Sequence, residues 1–519
     1  MGPQLSLGTT PKVEDLYSSS ARLCDDSLSD TSIFKLLYRF GDEIFPDAFF
    51  SDLYDNLGRA SIPPRVVATV MVLQRLGGLS DREAVDAFTY DIRYKYACGG
   101  LSYEYPGFAH TVLVDFRARL AASENPTRIF TAVLEVVTRA NLVKEKRVLD
   151  STPLYDAITT MDTVTLLRRG IRGVYRESIS KDSAYQGVLR ELIEIDGYLG
   201  SAKPAIDWED TAEREALIDA IAKDATTVLS FFENKSTHPE LRDSLVFLAT
   251  IMGQDIEVIG ERYAIARRVA KDRVISSVDP DARHGRKSSS SRFDGYKAHI
   301  AIDSESEIIT AAAVTPGNVH DAKVAADLID AATEAVYADN AYGSGELLDA
   351  FTKREIDPRI KARFPVRGGG MIPKSDFVID YDNFTVTCPA GIKIGMRPRK
   401  SGGHLASFKK HCVGCPLLER CTKSKSGRSI EIGTHERQLH EARLRFTNPD
   451  LRADYRETRP KVERKLAHLT RRLHGGRKAR VRGLVKVTAD FLLLVAAHNL
   501  ARMANLGINP FESPNVVPI

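Results

Sequence analysis

The chain has 519 residues and a formal net charge of +4, and 43% of its residues are hydrophobic. At roughly 150 residues per domain, this length predicts three or four domains, or one domain with large insertions, and it excludes a fibre, a peptide or a disordered tail. The longest apolar stretch, 491–497, is far shorter than the roughly 20 residues that span a bilayer, so we expect no membrane segment. Residues 1–30 lack the order of a secretory signal and predict a flexible N-terminus of a cytoplasmic protein.

Residues 31–140 predict an N-terminal helical domain, because apolar residues recur there at helical spacing. Pro63 and Pro64 suit the first turn of a helix that ends at Gly77-Gly78, and Ser80 with Glu83 forms a capping box for the next helix. Such a helix-turn-helix pair is typical of DNA-reading domains and also of ordinary helical bundles. DNA binding by this domain is therefore one of two interpretations that the sequence leaves open.

The rest of the chain alternates between strand and helix patterns, which predicts an α/β fold with a mixed sheet. Residues 159–275 carry long amphipathic runs without a strand signal and predict an all-helical insertion, in which Trp208 is a packing anchor. Helices are expected near 318–321 and through 451–504. The predicted strands have β-branched and aromatic residues in common, and they are 146–152, 296–302, 308–314, 335–338 and 359–362.

Three acidic residues occupy positions at which a catalytic site could form. Asp150 and Asp339 each end a predicted strand, and Glu463 lies in a basic helix. Taken singly, such residues are more often turn formers, helix caps or surface ion-pair partners. Their order along the chain, however, is strand-Asp, hairpin, helix, strand-Asp and helix-Glu, which is how an RNase H-like fold presents three carboxylates. The order favours a shared site.

Five stretches resemble the DDE transposases of bacterial insertion sequences. They are 148–152 (VLDST), 293–299 (FDGYKAH), 315–321 (TPGNVHD), 337–342 (YADNAY) and 462–464 (VER), and the resemblance covers most of the chain. It implies an RNase H-like catalytic domain built from 141–158, 276–365 and 446–505. The helical insertion 159–275, a cysteine-bearing insertion 366–445 and a C-terminal tail 506–519 complete the expected organisation.

By this resemblance Asp150, Asp339 and Glu463 are the catalytic triad and bind two Mg²⁺ or Mn²⁺ ions. Two such ions, held by hard oxygen ligands, suit phosphodiester hydrolysis and strand transfer without a nucleophilic side chain. The implied partners are the terminal inverted repeats of the element, the target DNA and further copies of the chain in a synaptic complex, all within the cytoplasm and nucleoid. A non-catalytic DNA-binding protein, domesticated or regulatory, and a stand-alone metal-dependent nuclease remain alternatives.

Related transposases carry a Tyr, an Arg, the Glu and a Lys at set intervals on the helix of the third acid. Arg459 matches, Tyr455 stands one residue earlier than expected, and Thr470 replaces the Lys but is followed by Arg471. Residues 452–486 contain thirteen Lys or Arg against three Asp or Glu. Tyr455, Arg459, Arg471 and Arg472 are therefore candidates to contact DNA phosphates.

Four cysteines lie within 34 residues, namely Cys388, Cys412, Cys415 and Cys421. The two-residue gap between Cys412 and Cys415 fits a tetrahedral zinc site, and a small Cys-rich insertion needs such a staple to fold. The sequence predicts a structural Zn²⁺, with reduced free thiols as the alternative.

Two smaller motifs have structural interpretations. Asp279-Pro280-Asp281 predicts a turn. Asn318, His320 and Asp321 predict the cap of a following helix, an interpretation favoured over a metal role for His320.

Overall fold

The computed structural model of the protein describes residues 6–11, 17–55, 58, 60–181, 184–200, 202–287, 290–363 and 370–510. Of the expected flexible N-terminus 1–30 and the expected C-terminal tail 506–519, residues 1–5, 12–16 and 511–519 lie outside the described ones. Residues 17–30, part of the segment expected to be flexible, lie within the described residues. Ser20 is buried there and its N–H donates to the Leu101 carbonyl at 3.2 Å, because backbone groups of this segment pair with the loop after the helix Ile92–Ala97.

A six-stranded mixed sheet lies at the centre of the described part of the chain. Its strands, numbered in chain order, are β1 Lys146–Tyr155, β2 Arg283–Arg286, β3 Arg292–Asp303, β4 Ile309–Pro316, β5 Ala335–Ala338 and β6 Asp357–Ile360. β3 pairs antiparallel with β1 on one side and with β2 and β4 on the other, while β5 and β6 continue the sheet beyond β1 as parallel strands. The α/β mixed sheet is confirmed: the five predicted strands are present with ends within a few residues of the prediction, whereas β2 was not predicted.

Both faces of the sheet are buried, because neighbouring residues of a strand point to opposite sides. Val148 belongs to the apolar cluster on one face, together with residues of the helices Pro460–Leu469 and Leu484–Asn505. Leu149 belongs to the cluster on the other face, which includes residues of the helices Gly345–Lys353 and Glu436–Arg445. The sheet is thus a middle layer between helices.

The N-terminal helices form a separate apolar cluster. They are Ala21–Cys24, Ile33–Ile44, Pro64–Gly77, Asp81–Tyr90, Ile92–Ala97, Thr111–Ala122 and Arg128–Arg139, with a 3-10 helix at Asp47–Leu53. The predicted helix-turn-helix is present: Gly78 adopts a φ of +68° and ends the first helix, and Ser80 and Glu83 exchange the two hydrogen bonds of a capping box. A side chain at Gly78 would collide with the carbonyl of Leu473, so the turn packs directly against the C-terminal region.

The helix Leu484–Asn505 joins the N-terminal cluster to the sheet. Phe491 and Val495 pack on the sheet, whereas Leu500 and Met503 pack among the N-terminal helices. By length and composition this helix could cross a membrane, which the 491–497 stretch alone did not suggest. Half of its most apolar window is buried inside the protein, and its apolar character is accounted for by the two cores that it fills.

The insertion after β1 packs around its own apolar cluster. The sequence had predicted an all-helical insertion, and this prediction is wrong, because the insertion also contains a hairpin. Its helices are Thr163–Lys181, Ala184–Leu192, Asp196–Leu199, Thr211–Phe232 and Pro239–Asp255. A two-stranded hairpin follows, Ile256–Ile259 with Arg262–Ile265. Its two-residue turn contains Gly260 at a φ of +63°, and a glycine in such a turn is the sequence feature that the prediction missed. Trp208 packs on the cluster, as expected.

The Asp279-Pro280-Asp281 turn holds the beginning of the last helix. That helix has Gly483 as its N-cap and no local side-chain cap. Asp279 accepts a hydrogen bond from the N–H of Gly483 at 2.9 Å, and Asp281 accepts one from the N–H of Leu484 at 2.8 Å. Asp279 also accepts the hydroxyl of buried Tyr296 at 2.6 Å. Two carboxylates that lie 204 and 203 positions away in the sequence thus accept hydrogen bonds from N–H groups that have no partner within the helix.

Asp156 faces Asp279, and burial together with this like charge raises the pKa of Asp156 to about 6. A carboxyl with a raised pKa in the folded state makes stability fall as pH rises from about 4 to about 6. We expect Asp156→Asn to remove this fall and to raise the melting temperature at pH 7 by roughly 1–2 °C, with no gain at pH 4. Thermal unfolding across this pH range, with the exposed Asp86→Asn as the control, tests the prediction, and a lower melting temperature at pH 7 contradicts it.

The cysteine-bearing segment forms two small antiparallel sheets around one apolar cluster. Their strands are Val378–Asp380, Thr385–Thr387 and Lys393–Gly395 in the first, and Arg397–Pro398, His404–Ser407 and Ser429–Ile432 in the second. The closing helices are Glu436–Arg445, Pro449–Thr458, Pro460–Leu469 and Leu484–Asn505, with a 3-10 turn at Arg472–His474. Residues 475–483 are not helical, since Gly475, Gly476 and Gly483 have positive φ angles there.

Candidate active site

The register of β1 and β5 brings the two predicted aspartates side by side. Val148 pairs with Tyr337 in this parallel ladder, and Asp150 and Asp339 each lie two residues further along. Side chains two residues apart share a face of a sheet, so both carboxylates belong to the face that carries Val148 and Tyr337. Asp339 follows the last residue of β5 and closes a turn, where its carboxylate accepts the N–H of Ala341 at 2.8 Å.

The helix Pro460–Leu469 covers the same face and carries Glu463. Val462 and Leu466 hold this helix on the sheet by packing in the cluster of Val148. Arg459 immediately precedes the helix and bridges two of the acids: its guanidinium lies 3.0 Å from Asp150 and 3.4 Å from Glu463. The three predicted acids therefore meet at one edge of the sheet, around an arginine.

Burial differs among these charged groups. The side chain of Asp150 is 16% exposed and that of Arg459 only 7%, whereas that of Glu463 is 64% exposed. Burial raises the pKa of Asp150 above its ordinary value, with the charge of Asp339 adding to the increase, although Arg459 acts in the opposite direction. The site is thus a partly buried pocket of negative charge that is open to solvent on the side of Glu463.

Within the described part of the chain, no three His, Cys, Asp or Glu side chains are arranged to hold a metal ion. Among the three acids, the Arg459 guanidinium lies between Asp150 and Glu463 and engages oxygen atoms of both carboxylates. The donors themselves are hard carboxylate oxygens, which are the ligands that Mg²⁺ and Mn²⁺ prefer. The donor set therefore fits such ions once the guanidinium no longer engages these oxygens.

A polar cluster that the sequence did not predict lies directly beneath Asp150, on the opposite face of β1. Ser151 donates a hydrogen bond to Asp321 at 3.0 Å, and Lys297 forms an ion pair with Asp321 at 2.7 Å. His299 is fully buried nearby, and burial lowers its pKa to about 4. One sequence feature could have indicated this cluster: Lys297 and His299 are polar residues two positions apart in β3, so they share one face of the strand that pairs with β1.

Asp321 is therefore an ion-pair partner and not the helix cap that the sequence had predicted. The helix after it is one turn long, Ala322–Ala325, and Asp321 makes no capping hydrogen bond to it. His320 takes that role instead, since its Nδ1 accepts the N–H of Ala322 at 3.3 Å. Asn318 donates to Asp272 and does not cap the helix.

The four DNA-contact candidates fall into two groups. Tyr455 is 5% exposed and donates its hydroxyl to the Ala338 carbonyl at 3.1 Å, and Arg459 is buried among the acids. Arg471 and Arg472 are exposed. The predicted phosphate contact does not fit the core position of Tyr455, whereas both exposed arginines are available to a ligand.

The four clustered cysteines line a common cavity at the surface of the cysteine-bearing segment, and His411 also lines it. None of the four forms a disulfide, and burial together with neighbouring Cys415 and Cys388 raises the pKa of Cys412. The N–H of Arg428 lies 3.4 Å from the Cys412 sulfur, a contact that supports a thiolate. His404 does not line this cavity and packs on Phe384.

Three protein-family models match separate parts of this chain. Residues 24–119 match a "Transposase domain (DUF772)", and 260–366 and 387–504 each match a "Transposase DDE domain". The chain belongs to the DDE transposases. No curated protein and no solved structure gives a significant match.

Membership makes this transposase a DNA-cutting and DNA-transferring enzyme of the insertion-sequence type, with DNA as its partner and divalent metal ions as the general cofactor of its class. The matched segments contain Asp339, Glu463 and the four clustered cysteines. Asp150 lies outside all three, so its part in the site is supported by the register of β1 and β5 and by its contact with Arg459.

Proposed function

We propose that this transposase cleaves the terminal inverted repeats of an insertion sequence and joins them to target DNA, with Asp150, Asp339 and Glu463 as its catalytic acids. The observation that carries the proposal is the convergence of these acids, from two adjacent parallel strands and a helix packed on the same face. The sheet order, with β3 antiparallel and β5 parallel beside β1, supports an RNase H-like fold for this part.

The three acids would bind two Mg²⁺ or Mn²⁺ ions, which supply activation of the attacking oxygen and stabilisation of the leaving oxygen. Asp150 would contribute oxygens from the middle of β1, which continues beyond the predicted strand end, and Asp339 from the turn that follows β5. β-sheet hydrogen bonds restrict the movement of the β1 backbone. Glu463, on the exposed side, contributes from the helix. The cluster of Ser151, Lys297 and Asp321 beneath the site holds β1 in position relative to β3.

The test of this function uses DNA that carries the inverted repeats flanking the gene. Incubation of the purified protein with this DNA and Mg²⁺ should yield nicks or breaks at the repeat ends, and addition of a target plasmid should yield joined products. Cleavage without joining would identify a stand-alone nuclease. Binding without cleavage would identify a regulatory DNA-binding protein and contradict the proposal.

A basic surface beside the site would hold the DNA backbone. The segment 471–483 carries exposed cations, among them Arg471, Arg472 and Arg482, between the site helix and the last helix. This segment is fixed at both sides: the Ala479 N–H donates to Tyr155 in β1, and buried Arg75 donates to the His474 carbonyl. A fixed and cationic surface suits phosphates, and the N-terminal helices that it contacts would extend the DNA-binding domain.

We expect Arg471→Gln with Arg472→Gln to weaken DNA binding for all sequences. Loss of two phosphate contacts should reduce the slope of log affinity against log salt by about 1.8. Binding titrations at several salt concentrations measure this slope. The control is Arg214→Gln with Lys223→Gln, which also removes two positive charges. Both residues are exposed in the helical insertion, and Lys223 is paired with Asp219, so the slope should stay unchanged. An unchanged slope in the first variant would place this surface away from DNA.

The four cysteines would bind one structural Zn²⁺ that stabilises the cysteine-bearing segment. Soft thiolate donors that line one cavity suit zinc, and the N–H of Arg428 beside Cys412 suits a metal-bound thiolate. The segment has a small apolar core of seven buried residues among the described ones, which is little for two three-stranded sheets. We also propose that two or more copies assemble, because two element ends must be held together.

A further inference from the structure

The Arg459 guanidinium occupies the centre of the acidic site. It contacts Asp150 at 3.0 Å and Glu463 at 3.4 Å, and it also interacts electrostatically with Asp339. Its side chain is 93% buried, yet among the described residues its Nε and Nη1 atoms have no hydrogen-bond partner. Buried donors without acceptors carry an energetic cost, so a further acceptor that reaches these two nitrogen atoms would be bound favourably.

We propose that Arg459 is an internal counter-ion that keeps divalent metal out of the DNA-free site and leaves it when DNA phosphate arrives. The inference rests on the proposed metal-binding role of the three acids. The oxygens of Asp150 and Glu463 that Arg459 engages are the ones that a metal ion would need, so the guanidinium and the ions compete for them. One positive charge in the site also repels an incoming divalent cation.

A DNA phosphate offers Arg459 an alternative partner. Guanidinium groups bind phosphate oxygens in a bidentate manner, and Nε with one Nη forms the edge used for this contact. The site is open on the side of Glu463, which is 64% exposed, so a strand can approach there. Movement of Arg459 to phosphate would release both carboxylates at the moment when the substrate is in place. DNA binding would therefore strengthen metal binding, and metal would strengthen DNA binding to the same extent.

The experiment measures Mn²⁺ affinity by electron paramagnetic resonance, without any readout of cleavage. In DNA-free protein, Arg459→Gln should bind Mn²⁺ about 10-fold more tightly than the wild type, within the range typical of coupling between two sites. In the wild type, a short duplex of the element end, with its scissile phosphate replaced by an uncleavable analogue, should produce a similar gain. That gain should be largely absent in Arg459→Gln.

Arg464→Gln is the matched control, because Arg464 lies in the helix that follows Arg459 and pairs with Glu307 and not with the three acids. It should leave Mn²⁺ affinity unchanged. If folded Arg459→Gln binds Mn²⁺ as tightly as the wild type or more weakly, the inference is overturned. If this variant does not fold, the wild type alone decides: a Mn²⁺ affinity that DNA does not increase also overturns the inference.

The double variant Arg459→Gln with Asp150→Asn separates this inference from the proposed function. Loss of the gained Mn²⁺ affinity in the double variant would show that the ions bind at the acids. A gain that persists without Asp150 would overturn both the counter-ion role and the metal role of that residue. A wild-type enzyme that cleaves DNA, combined with no effect of Arg459→Gln on Mn²⁺ affinity, would leave the proposed function intact and reject the inference alone.

Discussion

Replacement of Asp150 or Asp339 with Asn, or of Glu463 with Gln, is expected to reduce cleavage of element ends by at least about 10³-fold, because the three groups act as one unit. Each amide keeps the shape of the side chain and removes the negative charge that would offset two divalent cations. End cleavage in Mg²⁺ measures the effect, and DNA binding in Ca²⁺ shows whether the substrate is still bound. Binding should persist and could strengthen as repulsion of phosphate falls.

Glu457→Gln is the control for the third acid. Glu457 is exposed on the preceding helix, Pro449–Thr458, six residues before Glu463. It should retain cleavage near the wild-type rate, and thermal unfolding of all four variants should confirm that the fold is kept. If Glu463→Gln cleaves normally, Glu463 is not a ligand, and if Glu457→Gln is then inactive, the third acid is Glu457.

Loss of zinc is expected to have the second largest effect. Structural zinc contributes about 10–16 kcal/mol of apparent binding free energy in zinc-finger peptides, and in such domains this energy is folding energy. Purified protein should contain one zinc per chain, and Cys412→Ser should lose it together with the thermal stability of the segment 370–432. Elemental analysis and calorimetry measure both quantities.

Val413→Ser serves as the control for Cys412→Ser, since Val413 is the next residue and is 84% exposed. It should keep zinc and melting temperature. Should Cys412→Ser fail to fold, chelation of wild-type protein gives the same information: zinc release should make the four thiols reactive towards a thiol reagent. Purified protein without zinc, in which the segment still unfolds cooperatively, would contradict the zinc site.

The sequence determined the local elements of this protein well where a side chain acts on its own backbone. The helix from Pro64 ends at a left-handed Gly78, and Ser80 with Glu83 caps the next helix, because all these contacts lie within a few residues. The strand Ala335–Ala338 agrees with its prediction at both ends, since four buried apolar residues are followed by a turn-forming Asp. The hairpin after Asp255 was missed because two four-residue strands give too little periodicity beside long helices.

Part of the candidate site could also be predicted, because the order of acids along the chain resembles that of a known family. Asp150, Asp339 and Glu463 were chosen in this way, and they lie together. Sequence could not predict that Arg459 would be buried between two of them, or that Tyr455 would face the core. A helix of alternating charge reads as a solvated surface until its packing against the sheet is known.

The hydrophobic periodicity and residue spacing of the sequence by themselves determined an α/β protein with a helical N-terminal region and a clustered set of cysteines. The tertiary structure alone decided the pairings over long distances: Asp279 and Asp281 at the start of the last helix, Asp321 with Lys297 and Ser151, and the last helix in two cores. The physical reason is that a buried polar group must find a partner wherever the fold supplies one, and the identity of that partner leaves no periodic trace in the sequence.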